Sequence, residues 1–209
     1  MADHLKKGQR ILLFFLLCAL LPVPQIPAKA AAQSDEDKFL AATSIGTGTP
    51  GNLQGCPITL LANREYYRAL KRAIDGAGEE IVMSFFLYKT TGRSGSYPDR
   101  ILERLIAARQ RGVRVKVVLE QGSAGQADGP DRENHETAEK LKKAGIEVVR
   151  DSPKRTTHVK LVVVDRRYTF LGSHNLTASA LKYNNELSVL IESAAVAGEA
   201  LLFIESLHP

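Results

Sequence analysis

One plan recurs three times along this chain, and it leaves few folds open. "NREYYRALKRAIDGAG" has apolar residues at helical spacing, a candidate N-cap at Asn63 and terminal glycines; the apolar run "EEIVMSFFLY" follows it. "PDRILERLIAARQRG" with "VRVKVVLE", and "NHETAEKLKKAG" with "IEVVR", repeat the order of helix, glycine stop and strand. Strands that are apolar without alternation need cover on both faces, and helices supply it. The expectation is an α/β domain with a mixed, largely parallel sheet sandwiched between helices. Near the C-terminus the plan changes. "HVKLVVVD" and "YTFLG" flank "RR" as a tight hairpin; a short helix "TASALKY", a strand "ELSVLIE" and a closing helix from Ala194 follow. "QGSAGQADGPDREN" reads as a flexible loop at a sheet edge or over a cleft. It lacks the spacing of a phosphate-cradling Walker loop.

The first part of the chain reads differently. Residues 1–30 have the form of a secretory signal: the basic "KKGQR", the apolar "ILLFFLLCALL" and small residues in "PAKAAA". The apolar run is shorter than the roughly 20 residues of a membrane span and meets Pro22 and Pro24. Residues 31–55 are small and polar, a linker or N-terminal arm, and residues 56–209 form the one folded domain. This places the mature protein in the periplasm or outside the cell. Cys56 is then a lone cysteine, either buried or bridging two chains. The formal charge of +5 misleads in the same way, because without residues 1–30 the balance is 24 Lys and Arg against 22 Asp and Glu. Attraction to a polyanion must therefore be local. Lys154 and Arg155 before "HVK", and Arg166 and Arg167 after it, are candidates, with solvated turns as the plainer alternative.

Chemistry concentrates in "HVKLVVVD". Strand residues two apart project on one side, so His158 and Lys160 point together. "GSHN" (Gly172 to Asn175) closes the neighbouring strand, where Gly172 permits close backbone approach, and Glu186 opens the next. These residue types suit a phosphodiester. A neutral imidazole at His158 can attack phosphorus, with Glu186 as the carboxylate that fixes its tautomer. Lys160 and Asn175 can stabilise charge growing on the oxygens. No cluster has metal-ligand spacing, so no metal and no cofactor are expected.

His158-x-Lys160, Asp165 and Gly172-Ser173-x-Asn175 together resemble the signature of the phospholipase D superfamily, closest to its single-motif, Nuc-like bacterial endonucleases. The resemblance spans Cys56 to the C-terminus. It implies a mixed sheet between helical layers, a phosphohistidine formed at His158, phosphate binding by Lys160 and Asn175, and orientation of the histidine by Glu186. Ser173 would add a phosphate contact. Asp165 would hold the site together rather than react.

In-line displacement sets the attacker and the leaving group on opposite sides of phosphorus. One histidine cannot serve both. His4 leaves with the signal, His135 lies on a polar helix, His208 is terminal, and His174 is tied to a turn beside His158. The simplest second acid is His158 of another copy, across a two-fold axis; the resemblance implies the same homodimer. The leading expectation is a secreted, non-specific nuclease acting on DNA and RNA. A phospholipid phosphodiesterase and a silent nucleic-acid-binding module are the alternatives. No aromatic ladder is visible near the motif, which leaves strand preference open.

Overall fold

The computed structural model describes residues 56–121, 130–152 and 154–207. The expected signal and arm, the heart of the glycine-rich loop, His4 and His208 lie outside the described residues. In chain order the elements are β1 (Ile58–Ala62), α1 (Arg64–Gly76), β2 (Glu80–Phe85), α2 (Tyr97–Gln110), β3 (Arg114–Leu119), α3 (Pro130–Lys143), β4 (Glu147–Arg150), β5 (Lys160–Val164), β6 (Tyr168–Gly172), α4 (Ala178–Lys182), β7 (Leu187–Glu192) and α5 (Ala194–Ser206).

The strands form one sheet in the order β1-β7-β6-β5-β2-β3-β4. It is mixed, as the sequence predicts, but its parallel share is smaller than expected. Only β2–β3 and β3–β4 pair in parallel; β2–β5, β5–β6, β6–β7 and β7–β1 are antiparallel. The reason is the length of the connections. Parallel neighbours need a helical crossover, which α2 and α3 supply, whereas β5 and β6 are joined by a three-residue turn that reverses the chain. Asp165 and Arg166 both sit at φ 50° in that turn, the backbone a tight hairpin asks for.

Helices cover both faces unequally. On one face Leu70, Ile74, Ile101, Leu105, Leu141 and Leu181, from α1 to α4, pack on Ile81, Met83, Phe85, Val117, Val162 and Phe170. On the other, α5 alone among the described helices lays Ala197, Leu201 and Ile204 on Val82, Val118, Leu161 and Val163. Its start is fixed by Ser193, whose side chain accepts the Val196 N–H. Leu201→Ala would cost about 2–5 kcal/mol as a buried cavity. Beyond α5 the row continues uncovered: Leu161 pairs with Leu171, Leu171 with Val189, and Val189 with Leu60. Leu171, Leu187, Leu60 and Ile58 are exposed there.

Three local findings depart from the sequence reading. β1 was not foreseen; it is a five-residue edge strand with one buried side chain, so no alternation marks it and only its pairing with β7 holds it. α3 begins at Pro130, inside the expected loop, with Asp131 and Glu133 in its first turn favouring the helix N-terminus. Asn134, placed at the end of that loop, is buried: its amide accepts the Tyr88 N–H (2.8 Å) and donates to the Phe86 (2.8 Å) and Glu120 (3.0 Å) carbonyls. It thus ties the end of β2 to the end of β3.

Candidate active site

β1, β2 and β6 end, and β5 and β7 begin, at the same edge of the sheet. His158 is not on a strand as expected but two residues before β5, in extended chain whose Val159 carbonyl accepts the Phe86 N–H (2.8 Å). Buried Glu120, at the end of β3, accepts the Thr157 N–H and steadies the same segment. The His158 ring is exposed and packs on Phe86, centroids 4.6 Å apart. Lys160 is buried; its Nζ donates to the His158 carbonyl (2.9 Å) and lies 5.1 Å from the centre of the same Phe86 ring. Phe86, which carries no chemistry of its own, thereby brings the two together.

The electrostatics favour a nucleophile. Partial desolvation, then the Lys160 ammonium, hold His158 below the usual histidine range. The shift favours the uncharged ring, whose nitrogen lone pair is the one that can attack. Burial also lowers the Lys160 pKa, and Glu186 opposes that shift.

The "GSHN" turn is built on a close approach. A Cβ on Gly172 would stand 2.4 Å from the Ser188 Cα, so glycine is required there to let β6 lie against β7. His174 is fully buried and stacked on Tyr66 at 4.3 Å. Its Nε2 meets the Asn63 carbonyl (2.9 Å), which can only accept, so Nε2 carries the proton and Nδ1 accepts from the Ser188 hydroxyl (2.7 Å). Both nitrogens are used, and His174 has none for a substrate. Asn175 differs. Its Oδ1 is buried without a partner, and no hydrogen bond holds its amide among the described residues. Its Nδ2 group, uncommitted within the described residues, is the donor that an anionic ligand would need.

Glu186 departs from its expected role. Its carboxylate accepts the Ser173 hydroxyl and the Asn184 amide (3.0 Å), and among the described residues no hydrogen bond joins it to His158. Its backbone is gripped by Asn63, which donates to the Glu186 carbonyl (2.9 Å) and accepts its N–H (2.8 Å). Asn63 was expected to cap α1. It sits instead at φ 50° with its side chain turned to β7, and caps nothing. Ser173 is correspondingly spent on Glu186 and on the Leu187 N–H (3.1 Å).

Asp165 is not in this cluster. It lies at the far end of β5, roughly 16 Å along the strand from Lys160 at 3.3 Å per residue. Its carboxylate accepts the N–H groups of Gly78 (2.9 Å), Glu79 (2.9 Å) and Glu80 (3.0 Å). Partial burial resists its ionisation, but these backbone donors prevail and hold it below the usual carboxylate range. Arg166 and Arg167 share that far end and pair with Glu80 (2.7 Å) and Glu192, so neither grips a substrate at His158. Cys56 is half-buried and its thiol donates to the Glu192 carbonyl (3.3 Å). Among the described residues no three His, Cys, Asp or Glu side chains cluster as metal ligands would, and no helix is long and apolar enough to cross a membrane.

A neutral imidazole, a buried ammonium and an open carboxamide on adjoining strand ends are the equipment of an enzyme that works on esterified phosphate. Residues 70–207 match the family described as cardiolipin synthase, PLD-like domain, and the chain belongs to that phospholipase D-like family. A phospholipase D of Rickettsia bellii is 33% identical over 128 residues, 61% of this chain and 56% of that protein. The mitochondrial cardiolipin hydrolase of Mus musculus is 28% identical over 145 residues, 69% of this chain and 59% of that protein. The chain thus spans little more than half the length of these curated relatives. Among solved structures, Nuc of Salmonella typhimurium, a phospholipase D family member, superposes with a TM-score of 0.61 at 24% identity, covering 73% of this chain and 93% of that one. NucT of Helicobacter pylori does so at 0.56 and 14% identity, covering 73% and 95%. The fold is theirs, with one copy of the signature in the chain.

Proposed function

We propose that this chain is a metal-independent phosphodiesterase that cuts nucleic acid through a phosphohistidine at His158, in a site completed by a second copy. The observation that carries the reading is the exposed His158 ring beside the buried Lys160 ammonium, both packed on Phe86, with the uncommitted Asn175 three residues beyond the neighbouring strand β6. A ring nitrogen of His158 forms a bond to phosphorus while the bond to the leaving oxygen breaks. Lys160 and Asn175 take the charge gathering on the non-bridging oxygens. The leaving oxygen gains its proton from the second histidine, which then removes a proton from water as that water displaces His158. With both nitrogens of His174 engaged, the partner's ring is the acid this chemistry calls for. The uncovered row of Leu60, Leu171 and Leu187 supports a second copy, because Leu171 adjoins Gly172 and Leu187 adjoins Glu186: the apolar face runs into the site. Approach of the partner would also offer Glu186 a ring to orient.

The decisive experiment is plasmid nicking in EDTA, run beside hydrolysis of phosphatidylcholine and cardiolipin, with radiolabel trapped on the protein. Nicking with label on His158 supports the reading. Nicking that requires a divalent cation overturns it. Lipid hydrolysis alone replaces it with the second reading, a phospholipid hydrolase, which the names of the curated relatives favour. Leu60→Asp with Leu171→Asp should give a folded monomer with little turnover; a fully active monomer removes the shared site. Secretion to the periplasm or beyond belongs to the same proposal, and fractionation of expressing cells tests it.

A further inference from the structure

Tyr183, just after α4, is 70% exposed, the most open large apolar side chain among the described residues. Burying such a ring is ordinarily favourable, and this one is held outward beside a cation: the Lys182 Nζ lies 5.1 Å from its centre. The ring stands between two open concavities. One, about 230 Å³, is lined by Arg93, Ser96, Tyr97 and Lys182 on its far side. The other, about 440 Å³, is lined by Arg64, Lys182, Asn184 and Asn185, together with Asn63. This second hollow reaches the catalytic edge, since Asn63 and Asn184 are the residues that hold Glu186. Glu65 also lines the second hollow and, among the described residues, the first has no acid in its lining, so Arg64, Arg93 and Lys182 outnumber the one carboxylate. The net character of the track is cationic, with a bare aromatic face at its middle.

Resting on the nuclease reading above, we infer that Tyr183 is a stacking platform for an unpaired base beside the scissile phosphate, and that the preferred substrate is single-stranded nucleic acid. Lys182, Arg64 and Arg93 lie where the phosphates on either side of that base would run. Every base has a face to stack, so the contact confers no sequence preference. A duplex cannot use it, because its bases are already stacked on one another and must be pulled out at a cost. A lone exposed ring thus discriminates between strand states without reading sequence, which the linear motif did not reveal.

The test compares Tyr183→Ala, Tyr183→Trp and Tyr183→Leu in the full chain, on one oligonucleotide presented single-stranded and as a duplex. Binding is read by fluorescence anisotropy in the His158→Ala background, and cleavage by kcat/KM. The alanine variant should lower the single-strand to duplex preference by roughly 5- to 150-fold. Tryptophan should restore it; leucine, apolar without a π-face, should not. Sedimentation should show all three in the parent's oligomeric state. An unchanged preference in Tyr183→Ala overturns the inference and leaves the nuclease reading standing, as does equal loss on both substrates with dissociation of the dimer. A parent that neither binds nor cuts nucleic acid overturns both.

Discussion

At its first residue β5 holds Lys160, whose ammonium has, among the described residues, a single carbonyl partner and whose neighbour His158 presents a ring with no hydrogen bond. At its far end, Asp165 has three backbone N–H groups on its carboxylate and a turn locked behind it. Both ends belong to one linear signature. One end is left open and the other is saturated. The contrast divides the motif by purpose. Unsatisfied polar groups cost stability, so they persist where a ligand will meet them; saturated ones are found where the chain needs holding.

That division can be broken by substitution. The largest effect is expected for His158→Ala, which should abolish turnover, by at least about 10³-fold for loss of a nucleophile, while the melting temperature stays near the parent's. Mixed dimers of parent and His158→Ala chains should lose nearly all activity as well, read by tandem purification and nicking. Lys160→Met should cost roughly 100–1,000-fold in kcat, as removal of a charge-stabilising donor does. At the other end the signs reverse. Asp165→Asn should keep most activity at low temperature but lose about 2 kcal/mol of stability in urea unfolding, the scale of hydrogen bonds to a charged group. Were Asp165→Asn folded, stable and inactive, the division would be wrong.

Proton titrations sharpen the same comparison with smaller effects. One His158 must be neutral to attack while its twin carries the proton for the leaving oxygen. The profile of kcat/KM should therefore be bell-shaped, with its acid limb below the ordinary value of 6.5 and a fall as the second ring loses its proton. In Lys160→Met the repulsion is gone, and the His158 titration followed by NMR should move up toward 6.5. Asp165 is a depressed carboxylate. Its contribution to stability is present above its unfolded value near 3.8 and is lost as pH falls through its lower folded value. Acid unfolding of Asp165→Asn should lack that component.

Much of this was legible in the chain. The three helix-and-strand units, the closing hairpin and the pairing of His158 with Lys160 follow from apolar periodicity and from residues that a buried strand has no other use for. β1 was not, because an edge strand with one buried side chain has no pattern. The reach of parallel pairing was not, because direction depends on which strand lies alongside. Asn134 and Asn63 looked like turn residues; burial and partners far along the chain gave them other work. Phe86 looked like core, and Tyr183 like the end of a short helix.

The linear order of residues determined what chemistry this protein holds and which elements present it, since side-chain identity and period are local properties. Only the tertiary structure decided that Asp165 stands a strand's length from His158, that Glu186 is taken by Ser173 and Asn184, and that Tyr183 is left bare at the rim. Those outcomes depend on which groups meet across the sheet. Hydrogen bonds and packing between distant segments set that, and no stretch of sequence read alone contains both partners.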